Sequence, residues 1–130
     1  MLLACVQTDV TFGDVDDNLQ RVLHWIDQAG EAGADLAVLP ECMLSGYAFD
    51  SREEALTLAI ELSDPRFDEL AKAAAAKHLH LTLGFLERRE DKLFNAAALI
   101  GPDGIIGNYR KIHLPHLGID RFVDRGDLPY

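Results

Sequence analysis

Only two cysteines occur in this 130-residue chain, Cys5 and Cys42, and neither sits in a CxxC or Cys/His ligand spacing. That excludes a disulfide framework and a structural zinc site, and leaves a reducing cytoplasm as the expected compartment. Basic residues are also scarce: twelve Lys and Arg stand against twenty-two Asp and Glu, a net charge of −10. Such a chain repels phosphate backbones and anionic lipid, so neither nucleic acid nor a membrane is expected as a partner. No apolar run approaches the roughly 18 residues needed to span a bilayer, because Gln7, Pro40 and Gly84 interrupt the longest candidates. The opening Met1-Leu2-Leu3-Ala4-Cys5 spells part of a lipoprotein cleavage box, but no positive segment or full apolar stretch precedes it. A phosphate-cradling glycine loop after the first apolar run is missing as well, which weighs against a flavodoxin-like binding domain.

What remains is 48% hydrophobic and of a length that fits one ordinary domain. Leu2 to Gln7 and Leu36 to Leu39 are short apolar runs suited to strands buried on both faces. Between them Leu19, Val22, Leu23, Ile26 and Ala29 recur at three- and four-residue steps, a helical stripe that starts after Asp14, Asp16 and Asp17 and stops at Gly30 and Gly33. Ser51 with Glu54 matches a capping box, and Asp64-Pro65 supplies a cap with proline at the first helical position, so two more helices are expected. Phe67, Leu70, Ala71, Ala74 and Ala75 form the stripe of the second of these.

Leu79 to Leu86 and Leu93 to Ile100 read as strands, and Pro102-Asp103-Gly104 turns the chain into a partner strand, Ile105 to Tyr109. From His113 onward, prolines, glycines and charges imply loop. The order β-α-β-α-α-β-β-β predicts an α/β fold with a mixed β-sheet and helices on one face. Val6, Val38, Leu81, Leu83 and Ala97 leave little polar surface on either side of the strands. A second sheet or a partner chain is therefore expected over the other face.

Two charged residues stand just past buried strands: Glu41, after Ala37-Val38-Leu39-Pro40, and Lys111, after Asn108-Tyr109-Arg110. Ligands in α/β folds bind outside the carboxyl ends of strands, so a carboxylate and an ammonium at such ends suggest a catalytic pair. Cys42 beside Glu41 invites a cysteine-hydrolase dyad with His113. Adjacent residues of an extended chain point to opposite sides, however, so Cys42 reads as buried filler, as does Cys5 in the first strand. His78 and His80 read as structural or exposed. The acidic group Asp9, Asp14, Asp16 and Asp17 lacks a calcium-loop spacing and reads as capping and solubility. Arg125-Gly126-Asp127 is an adhesion tripeptide in spelling only.

Together these segments resemble the nitrilase superfamily of carbon-nitrogen hydrolases. Leu39-Pro40-Glu41 with Ser45-Gly46-Tyr47 looks like the family's general-base motif, and Gly107-Asn108-Tyr109-Arg110-Lys111-Ile112-His113-Leu114 like its lysine motif. The resemblance implies an αββα sandwich of the nitrilase type, of which residues 1–130 would be about half: the amino-terminal part of a single domain, with the part carrying a nucleophilic cysteine missing. It implies Glu41 as proton acceptor, Lys111 as oxyanion holder, Tyr47 as a substrate-pocket residue, and Asp120 where many relatives place a further carboxylate beside the lysine. His113 is read as a loop anchor. The substrate would be a small non-peptide amide, carbamoyl compound or nitrile, with no cofactor or metal, in a homo-oligomer. The alternative is a non-catalytic fragment or assembly module of such a protein.

Overall fold

A computed structural model describes residues 1–127. Five strands form one mixed sheet in chain order: β1 (Leu3–Cys5), β2 (Leu36–Val38), β3 (His80–Arg89), β4 (Lys92–Gly101) and β5 (Gly104–Arg110). The β1-β2 and β2-β3 pairs are parallel, and β3-β4 and β4-β5 antiparallel. The carboxyl ends of β2, β3 and β5 therefore share one edge of the sheet. Three α-helices complete the regular structure: α1 (Val15–Glu31), α2 (Arg52–Leu58) and α3 (Pro65–Ala76).

Local chemistry starts each helix where the sequence predicts. Asp14 accepts from the Asp17 amide at α1, Ser51 from the Glu54 amide at α2, and Asp64 from the Arg66 amide ahead of Pro65 at α3. Each cap satisfies an amide that has no intrahelical partner, at a typical gain of ~1 kcal/mol. The buried stripes of α1 (Leu19, Val22, Ile26, Ala29) and α3 (Phe67, Leu70, Ala71, Ala74) cover one sheet face, made by Ala37, Leu81, Leu83, Phe85, Ala96, Ala98 and Ile100. Period-two alternation explains that list, because Leu81 pairs with Ile100, Leu83 with Ala98 and Phe85 with Ala96.

The helix α2 packs elsewhere. Its Ala55, with Ala59 beyond it, joins Cys42, Phe49, Leu86, Leu93 and Ile119 in a second cluster at the site end of the sheet. Most of the sheet face opposite α1 and α3 is uncovered, and Leu3, Leu99, Ile106 and Tyr109 are exposed along it. Cys5 shares that fate. Expected as buried filler, it is exposed instead, because only Ala4 of edge strand β1 turns toward the helices.

Two segments carry structure beyond what the sequence predicts. Strand β3 runs past Leu86 to Arg89, since pairing with β4 across a tight turn at Glu90-Asp91 holds polar residues that carry no apolar signal. The tail after His113 is not all loop: Gly118–Arg121 forms a 3₁₀ turn that buries Ile119 and Asp120. A buried ion pair locks β5 to β3, with Arg110 donating to both Glu87 oxygens at 2.7 and 2.5 Å. Asp127 also accepts from Arg110, so the Arg125-Gly126-Asp127 segment closes that network.

Candidate active site

Strands β2 and β5 are three strand spacings apart, about 14 Å, so side chains at their ends cannot meet across the sheet unaided. The chain solves this after Pro40 by crossing over β3. Gly84 makes the crossing possible: a Cβ there would lie 2.5 Å from both the Glu41 Cα and the Cys42 amide nitrogen. Two backbone bonds hold the crossing in place, Gly84 N to Pro40 O at 3.0 Å and Met43 N to Gly84 O at 2.8 Å. Cys42 then takes a positive φ of 49°, which turns the chain back toward Gly46.

From that position Glu41 reaches β4 and β5. Lys111 Nζ donates to Glu41 Oε1 at 2.8 Å and to Asp120 Oδ2 at 2.7 Å. Seventy positions separate Glu41 and Lys111 in sequence, and they form a direct ion pair. Lys111 is aimed by its own backbone, whose amide donates to Asn95 O at 2.8 Å while its carbonyl accepts from Gly126 at 3.0 Å. Burial opposes the charge on Lys111, but the Asp120 and Glu41 carboxylates outweigh it and hold the ammonium above its ordinary value. It stays protonated at any working pH.

Asp120, on the 3₁₀ turn, is fully buried as a side chain. Tyr47 OH donates to Asp120 Oδ2 at 3.2 Å and lies 3.0 Å from the Leu117 carbonyl, and its ring fills the space where Gly118 has no side chain. Burial, then the Asp120 and Glu41 charges, push the Tyr47 phenol up, which keeps it a donor. Tyr47 thus braces Asp120 and is not among the residues lining the neighbouring cavity. His113, expected to anchor its loop, makes no hydrogen bond among the described residues and lines the cavity instead.

One participant went unread in the sequence. Asn95, in the middle of β4 and only 3% exposed, donates from Nδ2 to Glu41 Oε1 at 2.6 Å and to Asp120 Oδ1 at 2.9 Å. Its Oδ1 faces the Cys42 thiol at 3.7 Å. Burial, with Glu41 and Asp120 nearby, pushes that thiol far up, so Cys42 is an inert donor and not a thiolate. The only advance signal for Asn95 was an amide side chain inside an otherwise apolar strand.

A cavity of about 410 Å³ opens beside this cluster, with Glu41, Asn95, Lys111, Tyr109 and His113 around apolar walls that include Val38 and Ala97. Among the described residues no group of His, Cys, Asp or Glu could hold a metal ion, and no helix is long and apolar enough to cross a membrane. A ligand in the cavity meets a proton acceptor, the Glu41 carboxylate that is 46% exposed, beside the fixed positive charge of Lys111.

A family model described as carbon-nitrogen hydrolase matches residues 2–126. The chain belongs to the carbon-nitrogen hydrolase family. A nitrilase of Pyrococcus abyssi is 35% identical over 98% of this chain, which spans 49% of that relative. A glutamine-dependent NAD(+) synthetase of Thermotoga maritima is 35% identical over 87% of the chain, which covers 19% of its length. Among solved structures, an N-terminal amidase superposes with a TM-score of 0.78 at 27% identity, over 95% of this chain and 30% of that one. A CN-hydrolase superfamily protein of Xanthomonas campestris superposes at 0.82 and 23% identity, covering 97% of this chain and 46% of that one, a likeness of fold. The chain thus spans about half the length of the curated nitrilase it matches, and less of the others. Its single sheet with α1 and α3 on one face corresponds to part of the family's αββα sandwich.

Proposed function

We propose that the full protein hydrolyses a carbon-nitrogen bond of a small non-peptide amide by acyl transfer through a Cys-Glu-Lys site, as a cytoplasmic homo-oligomer. Carbamoyl compounds and nitriles are the related substrates. The observation that carries the reading is the 2.8 Å contact between Lys111 Nζ and Glu41 Oε1, two residues that line a largely apolar cavity.

In this reading Glu41 accepts the proton of an attacking thiol, and the thiolate adds to the amide carbon. The carbonyl oxygen becomes an oxyanion that the Lys111 ammonium stabilises, and such a donor is typically worth ~100- to 1000-fold in rate. The C–N bond breaks as Glu41 returns the proton to the leaving amine, giving a thioester. Water, deprotonated by Glu41, then releases the carboxylic acid and the thiol. Neither cysteine of this chain suits the attack: Cys42 is sealed and protonated, and Cys5 is on the opposite edge strand from β5. The nucleophile is assigned to sequence following Tyr130.

Reading the coding sequence beyond Tyr130 separates this reading from a non-catalytic module, since the enzyme requires a later strand ending in cysteine. The functional test is Glu41→Gln in the full-length product, which keeps the shape and removes the base. Amide turnover should fall ~100- to 10,000-fold with the thermal midpoint little changed. Undiminished turnover would refute Glu41 as the base.

A further inference from the structure

The reading above assigns work to Glu41 and Lys111, yet these two and the adjoining Asp120 do not by themselves explain their geometry. Two carboxylates converge on one ammonium, leaving a net negative charge and a mutual repulsion between Glu41 and Asp120. Something neutral must sit between them. We propose that Asn95 is the positioning residue of this site: its amide nitrogen donates to Glu41 and Asp120 at once, setting both carboxylates around Lys111 without adding charge.

The orientation of the amide follows from its neighbours. At 2.6 and 2.9 Å the atom facing Glu41 and Asp120 must be a donor, because ionised carboxylates only accept. The opposite end of the same side chain then presents its oxygen to the Cys42 thiol, whose S–H donates to it at 3.7 Å. Both donors of the NH₂ and one acceptor site of the oxygen are therefore in use, in a residue 3% exposed. Flipping the amide would bring an oxygen against two carboxylates and an NH₂ against a thiol hydrogen.

Strand placement makes the bridge rigid. Asn95 pairs with Leu86 on β3, and its carbonyl accepts from the Lys111 amide, so one residue contacts the lysine's backbone and both of the lysine's carboxylate partners. Among the described residues, the charged and titratable groups around it are Glu41 and Cys42 after β2, Tyr47 in the following loop, Lys111 after β5, Asp120 on the 3₁₀ turn, and Tyr109 and His113, which line the same cavity. Among the described residues, neither carboxylate has another side-chain amide to hold it. A near-isosteric carboxyl at position 95 would set three acidic groups within hydrogen-bond distance against a single ammonium.

The test compares Asn95→Asp and Asn95→Ser with wild type in the full-length product, first by thermal midpoint from pH 5 to 9. The introduced carboxyl must hold a proton to fit, so its folded-state affinity for protons exceeds its unfolded one. Its site is tolerated at low pH and destabilised as pH rises. The Asn95→Asp deficit should widen by roughly 5 °C or more between pH 5 and 8, while the Asn95→Ser deficit stays flat. Parallel pH dependence of the two deficits would overturn the bridge. Should Asn95→Asp fold at no pH, the side-chain amide resonances of Asn95 in wild type decide: they must move on Glu41→Gln, and indifference overturns the proposal.

A second arm follows hydrolysis of propionamide. Asn95→Ser should lower kcat about 100-fold, as expected for a misplaced catalytic group, with KM within about threefold and the acid limb of the pH profile displaced. Wild-type kcat and pH profile in that variant would remove the positioning role. This proposal rests on the hydrolase reading only in the second arm. If wild type leaves propionamide untouched, that reading is at fault for this amide, while the thermal comparison still judges the bridge.

Discussion

Replacing Gly84 by alanine tests whether the site is carried by the sheet or by the loop that follows β2. The added methyl would stand 2.5 Å from the Glu41 Cα and the Cys42 amide nitrogen, both backbone atoms that cannot rotate away. Carbon atoms in contact rest at about 3.5 Å or more, so the Pro40–Met43 segment must lift by about 1 Å. That lift strains or breaks the bonds between Gly84 and Pro40 and between Met43 and Gly84. Overpacking with two weakened backbone bonds costs about 2–4 kcal/mol, a fall in thermal midpoint of roughly 10 °C. A displacement of that size at Glu41 should also lower amide turnover about 100-fold, even in protein that remains folded at the assay temperature. Circular dichroism melting and turnover of the full-length product measure both. Gly107→Ala is the control, because nothing lies within 4 Å of a Cβ at that position. A Gly84→Ala protein that melts and turns over like the Gly107→Ala control would show that Glu41 does not ride on β3.

Two further outcomes follow from the thiols and from the tail. In the 130-residue chain, maleimide at pH 8 should label exposed Cys5 and leave Cys42 unmodified until unfolding, as read by peptide mass; rapid native labelling of Cys42 would contradict its burial and raised proton affinity. Asp124 is pushed up by burial, but the Leu93 amide and the Arg52 guanidinium outweigh this and hold it below the usual carboxylate range. A lowered folded value means stability that is present above the unfolded value and lost as pH falls. The gap in thermal midpoint between wild type and Asp124→Asn should therefore shrink as pH drops below about 4; a gap that is constant from pH 7 to 3 would exclude this contribution.

The helices were legible because their signals are local: caps at Asp14, Ser51 and Asp64, and stripes such as Leu19-Val22-Ile26 that face one direction. Strands β2 and β4 were legible as apolar runs, and the ends of β2 and β5 marked Glu41 and Lys111. What escaped was set by pairing across the chain. The extension of β3 through Glu87, Arg88 and Arg89 depends on its partner β4, and the buried Glu87-Arg110 pair looks like ordinary surface charge in one dimension. Cys5 reads as buried filler because its strand is apolar throughout, whereas only the Ala4 side of β1 meets the helices. Asn95 was missed for a related reason: a single amide among Leu93, Phe94, Ala96 and Ala97 carries no periodic signal. Its meaning comes from Glu41, 54 positions earlier, and Asp120, 25 positions later.

The latch between Arg110 and Glu87 has a consequence for how this hairpin can change over time. Sliding β5 by two residues along β4 would carry Asn108 to the place of the guanidinium and strand a carboxylate in the interior, a mistake of about 3–5 kcal/mol. Alignment is thus dictated from the end next to Lys111, and the opposite tip at Pro102-Asp103 is free of that duty. Insertions and deletions between lineages can accumulate at the tip without moving the lysine.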